Sequence, residues 1–264
     1  MHGLYGDIIL ANIAARLRAA GCVFAEDEAR LLISAAQTPA DLTAMVDRRA
    51  AGLPLEHVIG WVEFCGIQIA VDLGVFVPRR RTEFLAHQAA ILAKPGAVVV
   101  DLCCGTGAIG AALIATLEEI ELYATDIDPA AVRCARRNIT SACGHVYKGD
   151  LYEPLPDTLR GRVDILVANA PYVPTETIGL LPREARIHEA RVALDGGLDG
   201  LDVQRRVTAK AQLWLAPGGH LLVETSQQQA PQTVEIFTRS GLIPQVANDD
   251  ELDSTVVIGT RPVR

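Results

Sequence analysis

Val98-Val99-Val100-Asp101-Leu102-Cys103-Cys104-Gly105-Thr106-Gly107 decides the fold, because an apolar, β-branched run passes directly into a glycine turn that opens a helix. Gly105 and Gly107 leave bare backbone where a ligand can approach closely. Upstream, the turn Lys94-Pro95-Gly96 follows a helix expected from Pro78 to about Ala93. Downstream come a strand over 121–125, a helix opened by Asp128-Pro129, and strands over 163–168, 220–224, 243–246 and 255–259. Alternation of this kind predicts an α/β fold whose parallel sheet is covered on both faces.

The flanking regions differ. Ile8, Leu10, Ile13 and Leu17 recur at helical spacing, followed by Ala29, Leu31 and Leu32, and by Leu42, Met45 and Val46 after the capping signal Thr38-Pro39-Ala40-Asp41. These predict a small helical domain over 1–56. Trp61-Val62-Glu63-Phe64 and Ile67-Gln68-Ile69-Ala70-Val71 flank Cys65-Gly66 as a hairpin within a linker over 57–77, which leaves 78–264 for the sheet domain. Residues 169–200, rich in Pro, Gly and charge, read as a long loop with a short helix, and loops of that length are commonly functional.

The chain has 264 residues, 50% of them hydrophobic, and can bury a full core without staples. Its six cysteines show no Cys-x-x-Cys pair, so they signal neither a metal site nor a disulfide framework and read mostly as buried small apolar residues. Residues 1–10 lack the charged start and cleavage site of a secretory signal, and the longest apolar stretch is broken by Asp101 and glycines. Together these predict no membrane segment and a place in the reducing cytoplasm. A net charge of -8 argues against a surface that tracks nucleic-acid phosphates. The one dense basic run, Arg79-Arg80-Arg81, reads as a solvated helix start or a salt-bridged face.

Candidate chemistry collects at strand ends. Leu122-Tyr123-Ala124-Thr125-Asp126 ends a strand in a carboxylate about twenty residues after the glycine turn, where ribose hydroxyls can bind, and Gly149-Asp150-Leu151 supplies another. Asn169-Ala170-Pro171-Tyr172 follows a further strand. An amide with an acceptor oxygen, a rigid proline and an aromatic face can grip a flat NH-bearing group. Taken singly, Asp126 and Asp128 also serve as helix caps, and Asn169 and Pro171 as turn residues.

Asp101 to Gly107, Asp126 and Asn169-Ala170-Pro171-Tyr172 resemble the motifs of class I S-adenosylmethionine-dependent methyltransferases that act on planar nitrogen. The wider chain is similar to the HemK/PrmC family of protein-(glutamine-N5) methyltransferases. The likeness runs through Gly52-Leu53-Pro54-Leu55-Glu56-His57-Val58-Ile59-Gly60, Phe76-Val77-Pro78-Arg79 with Thr82-Glu83, and Ala193-Leu194-Asp195-Gly196-Gly197-Leu198-Asp199-Gly200-Leu201-Asp202. The resemblance implies a Rossmann-like, mostly parallel seven-stranded sheet behind an N-terminal helical, substrate-docking domain, with S-adenosylmethionine against the glycine turn. It places Asp101, Cys103, Gly105, Gly107 and Ile127 around the cofactor, Asp126 at its ribose, and Asp150 and Leu151 at its adenine. Phe76, Pro78 and Arg79 close over it, with Glu83 as a further polar contact and Asn169 reaching the cofactor. Asn169, Ala170, Pro171 and Tyr172 form the catalytic set, and Asn169, Tyr172 and Glu189 meet the substrate.

The chain departs from the family pattern at three places. Ala170 replaces the first proline of the usual Asn-Pro-Pro-Tyr, Cys103 stands at a glycine position, and His188-Glu189-Ala190 replaces an aromatic-Glu-Pro segment. The resemblance implies as substrate a protein such as a peptide-chain release factor, methylated on a glutamine amide, while the departures fall on substrate recognition more than on cofactor binding. The alternative is a free small molecule such as the guanidino group of arginine, with Arg183, Arg186, Arg191, Glu184 and Glu189 as its charged partners. A DNA adenine-N6 methyltransferase and a silent cofactor-binding module remain as further readings.

Overall fold

The computed structural model describes residues 2–140 and 142–263, with side chains described from residue 6. Met1, Ser141 and Arg264, including the first residue of the expected helical domain and the last of the sheet domain, lie outside the described residues. Three helices come first: α1 (His2–Ala19), α2 (Ala25–Ala35) and α3 (Pro39–Ala50). The expected cap of α3 is present, with Thr38 Oγ1 accepting the Asp41 N–H at 3.1 Å and Pro39 in the first turn. A short helix α4 (Leu55–Ile59) follows, crossing the 56/57 boundary set from the sequence, and its Val58 packs among Leu17, Leu32 and Met45 in a core that these four helices share.

Strands β1 (Trp61–Phe64) and β2 (Ile67–Ala70) form the expected hairpin. Cys65 and Gly66 have φ of 49° and 74°, the two positive values a tight two-residue turn needs to match the strand twist. Next come α5 (Thr82–Leu92), β3 (Val98–Leu102), α6 (Ala108–Thr116), β4 (Glu121–Asp126), α7 (Pro129–Asn138), β5 (Gly144–Lys148) and β6 (Val163–Ala168). The loop beyond β6 carries α8 (Arg183–His188), and the chain ends with α9 (Asp202–Trp214), β7 (Leu215–Thr225), α10 (Ala230–Arg239), β8 (Ile243–Asp249) and β9 (Ser254–Thr260).

Seven strands form one sheet in the order β5-β4-β3-β6-β7-β9-β8, parallel except where β9 runs antiparallel between β7 and β8. Alternate residues of each central strand feed opposite faces. Val99, Ile165, Val167 and Leu222 pack with Leu85, Ile109 and Leu113 of α5 and α6 on one side. Val100, Leu166, Ala168 and Leu221 pack with Val207, Trp214 and Phe237 of α9 and α10 on the other. Truncating one of these leucines or isoleucines to alanine costs roughly 2–5 kcal/mol.

Three expectations change. Residues 78–81 are not helical; α5 begins at Thr82 because Arg79 and Arg81 turn away to pair with Glu189 and Glu224. Of the cysteines only Cys104 and Cys134 are buried, and the other four are half-buried, because they sit in turns and at element ends rather than on core faces. Strand β7 starts earlier than expected and runs through Pro217-Gly218-Gly219, where its register to β6 shifts between Val163 and Ile165.

Candidate active site

Sheet register builds the site. Leu102 pairs with Thr125 on one side and Ala168 on the other, and Ala168 pairs with Val223. One residue further along, Asp126, Cys103, Asn169 and Glu224 therefore stand in a row across four adjacent strands at their carboxyl ends. The row spans the point between β3 and β6 where the chain reverses its direction of travel across the sheet, which is where open α/β sheets form a ligand crevice. A cleft of about 540 Å³ lies there.

At one end of the cleft the glycine turn leaves its backbone bare. A Cβ on Gly105 (φ 55°) would meet no atom within 4 Å and would stand in the open cleft. Gly107 (φ 76°) is glycine for a different reason, since a Cβ there would lie 2.8 Å from Ile139 Cδ1. Cys103 holds the glycine-like φ of 57°, so the turn keeps its shape at a cost of roughly 1 kcal/mol in backbone strain. Asp126 braces the turn: Oδ2 accepts the Gly105 N–H and Oδ1 the Asp128 N–H, both at 2.8 Å. Burial raises its pKa despite those two bonds, and the Asp128 charge adds to the rise. Asp101 sits two rows deeper, 0% exposed, with Oδ2 accepting Gly110 N–H at 3.2 Å and Oδ1 unpartnered. Burial pushes its pKa up to about 7, opposed by the Gly110 bond and reinforced by Asp126.

At the other end, Asn169 Nδ2 donates to Thr82 Oγ1 at 3.3 Å, which orients the amide with Oδ1 turned away from Thr82. Ala170 is fully buried, and its main chain is braced from behind. Val173 N–H donates to Leu194 O at 3.1 Å, Gly196 N–H to Val173 O at 2.9 Å, and Gln229 Nε2 to Tyr172 O at 3.0 Å. Gly196 and Gly200 admit this contact because a Cβ on either would lie 2.7 Å from Pro171 O or 2.3 Å from Tyr172 O. The Tyr172 hydroxyl accepts from Arg81 Nη2 at 2.8 Å and donates to Glu224 Oε1 at 3.3 Å.

Residues 71–81 cross over the cleft. Glu189 Oε1 accepts from Val77 N–H at 3.2 Å and from Arg79 Nη2 at 2.6 Å, while the Arg79 guanidinium lies 4.8 Å from the centre of the Phe76 ring. Beside the expected ribose end, Asp150 pairs with Arg206 of α9 at 2.5 Å. Asn138 joins the hairpin to the glycine turn, donating to both Ala70 O and Thr106 O at 2.9 Å.

The cleft brings together Phe76, Pro78, Arg79, Cys103, Gly105, Asp126, Ile127, Asp150, Leu151, Glu189 and all of Asn169 to Tyr172. Asp101, Gly107 and Glu83 are not on its surface; the first two support the turn from below, because the register sets Asp101 two steps before the row and Gly107 faces α7. The sequence reading did not single out Thr82, Arg206 or Glu224 for a role. Glu224 carries the same signal as Asp126, a carboxylate ending an apolar strand. Among the described residues no group of His, Cys, Asp and Glu could hold a metal ion, and no helix is long and apolar enough to cross a membrane.

The arrangement fits a nucleoside-bearing cation. Bare backbone stands at Gly105, Asp126 retains free lone pairs beside it, and Asp101 leaves an unmet oxygen beneath the turn.

The model of the methyltransferase small domain matches residues 70–198. The release factor glutamine methyltransferase of Geobacter sulfurreducens is 36% identical over 84% of this chain and 79% of its own length. The same-named proteins of Mycolicibacterium smegmatis and Deinococcus radiodurans are 38% and 33% identical, over 86% and 91% of this chain and 82% and 93% of their own. Among solved structures, a ribosomal protein L11 methylase from Lactobacillus delbrueckii subsp. bulgaricus superimposes with a TM-score of 0.53 at 16% identity, covering 74% of this chain and 85% of its own, a likeness of fold. The chain belongs to the release factor glutamine methyltransferase family and is an S-adenosylmethionine-dependent methyltransferase.

Proposed function

We propose that this chain methylates the side-chain amide nitrogen of a glutamine in a peptide-chain release factor, with Asn169 to Tyr172 as the amide-aligning set. The observation that carries the reading is the Thr82 bond to Asn169 Nδ2, which leaves Oδ1 as an oriented acceptor in the row that also holds the glycine turn. When bound, S-adenosylmethionine supplies an electrophilic methyl group on a sulfonium. Gly105 and Cys103 would hold it against bare backbone, Asp126 would accept its ribose hydroxyls, the apolar Ile127 would lie against the nucleoside, and Asp150 with Leu151 would border its base. Phe76, Pro78 and Arg79 cover it, the Glu189 carboxylate holding Arg79 in place.

Asn169 Oδ1 and the Ala170 carbonyl each accept one N–H of the incoming amide. Holding both hydrogens presents the nitrogen lone pair in one direction, and the two oxygens stabilise positive charge as it develops on nitrogen. Ala170 keeps the carbonyl that a proline would offer, and the bracing by residues 194–200 supplies rigidity that the missing ring does not. No strong base is needed before transfer.

The substrate's protein nature is supported by the loop charges. Arg186 turns to Gly179 O, Arg191 to Asp195 and Glu184 to Arg49, and none of Arg183, Arg186 and Arg191 lines the cleft. The three loop arginines expected to meet the carboxylate of a free amino acid are therefore absent from the cleft wall. The helices of residues 1–56, with their own core and the exposed Phe24, are the proposed docking domain for the protein substrate. Buried Arg49 links them to the cleft rim, pairing with Glu28 and Glu184, each at 2.6 Å. Burial works against its charge, but those hydrogen bonds outweigh it and raise its pKa. Such a substrate places the enzyme in the cytoplasm, where translation ends.

The test is incubation with methyl-labelled cofactor and either a release factor or a mixture of free amino acids. Label is expected in the protein and not in the amino acids; label confined to the small molecules would overturn the reading.

A further inference from the structure

The end of the cleft away from the glycine turn holds a closed ring of three polar groups. Arg81 Nη2 donates to the Tyr172 hydroxyl at 2.8 Å, that hydroxyl donates to Glu224 Oε1 at 3.3 Å, and Arg81 Nε reaches the same oxygen at 3.4 Å. The Glu224 side chain is 2% exposed and its Oε2 has no hydrogen-bond partner, whereas Arg81 is 44% exposed at the mouth of the cleft. A carboxylate drawn out of water at the end of a central strand is costly unless it is paired. Its partners here are one guanidinium and one phenol, and that phenol belongs to Tyr172.

Tyr172 is held from its other side as well. Its carbonyl accepts from Gln229 Nε2, and the next residue is laddered to the 194–196 segment. An aromatic ring anchored both at its backbone and at its hydroxyl has lost both side-chain torsions, so its face occupies one place. In-line transfer depends on such fixed placement, and a displacement of about 1 Å costs on the order of 10²-fold in rate.

We propose that Arg81 and Glu224 are positioning residues that act through Tyr172, locking its ring as the wall against which the substrate's planar amide is laid. The inference rests on the amide-methylating reading above. Neither residue needs to touch the amide or the cofactor. Arg81 pairs with the buried Glu224 carboxylate, and Glu224 gives the Tyr172 hydroxyl a fixed acceptor.

The full chain, assayed with a release factor as methyl acceptor, tests this through kcat, KM for the protein and the cofactor Kd of Tyr172→Phe, Glu224→Gln and their combination. Each single substitution is expected to lower kcat about tenfold with the cofactor Kd unchanged, and the combination to lower it by about tenfold again in total, since both remove one shared link. Losses that multiply to about a hundredfold would show that Glu224 acts independently of Tyr172 and overturn the proposal. Unchanged kcat in Glu224→Gln would do the same. Should Glu224→Gln fail to fold, Arg81→Gln combined with Glu224→Gln removes charge and countercharge together. A folded pair with reduced kcat and intact cofactor binding supports the proposal, and a pair with wild-type kcat contradicts it. If the wild-type enzyme methylates no glutamine, the functional reading itself has failed, and that is seen before any variant is made.

Discussion

At the glycine-turn end of the cleft the bonds within the turn itself stay close in sequence, joining Gly105 to Asp126 across 21 positions and Gly110 to Asp101 across nine, while the Asp150–Arg206 pair beside it spans 56. At the tyrosine end they span 91 positions from Arg81 to Tyr172, 110 from Arg79 to Glu189 and 143 from Arg81 to Glu224. The first end presents backbone and lone pairs to whatever binds. The second is cross-braced by ion pairs between segments that meet only in the folded sheet. A cofactor common to many enzymes needs the local device, while alignment of a particular nitrogen needs walls brought together from the whole chain.

Separate substitutions at the two ends should separate binding from turnover. Asn169→Ala is expected to lower single-turnover methylation by about 10²–10³-fold, the scale of losing one oriented transition-state contact, with cofactor affinity unchanged by calorimetry. Undiminished turnover would remove Asn169 from the mechanism. Asp126→Ala should act in the opposite way, weakening cofactor binding by roughly tenfold or more through lost charged hydrogen bonds, with kcat recovered at saturating cofactor.

Asp101 sharpens the contrast through pH. Burial lifts its folded pKa to about 7, well above the roughly 3.9 of an unfolded aspartate, so the folded chain holds this proton more tightly than the unfolded one. The resulting stabilisation is full below about pH 4 and is lost as pH rises to about 7. Chemical denaturation of the cofactor-free protein at a series of pH values should show that loss, and Asp101→Asn should flatten it. The smallest effect is expected at Cys103, where glycine relieves the φ of 57°. Cys103→Gly should raise stability by up to about 1 kcal/mol, less the extra backbone freedom of the unfolded chain, as read by thermal unfolding.

The same contrast governs how much was legible in the sequence. The strand-turn-helix at Val98–Gly107, the Asp128-Pro129 start of α7 and the Thr38 cap follow from neighbours in the chain, and the structure has each of them. The partners of Arg79 and Arg81 do not. A run of three arginines looks the same whether it is solvated or drawn into a cleft, and residues 78–81 read as helix because nothing nearby signals Glu189 or Glu224. Asp101 and Gly107 were legible as members of a motif, but their position beneath the turn depends on the register of β3 with β4 and β6. Helix α4 escaped notice because five residues are too few to establish a period.

The central claim is that Asn169 aligns a glutamine amide of a protein for methyl transfer. Peptide mapping by mass spectrometry of a release factor after reaction with the wild-type enzyme and with Asn169→Ala tests it most directly. The account predicts one added methyl group on the side-chain nitrogen of a single glutamine with the wild type, and about a hundredth of that or less in the same time with a variant that still binds cofactor. A methyl group on an arginine, or equal glutamine methylation by both enzymes, would contradict it.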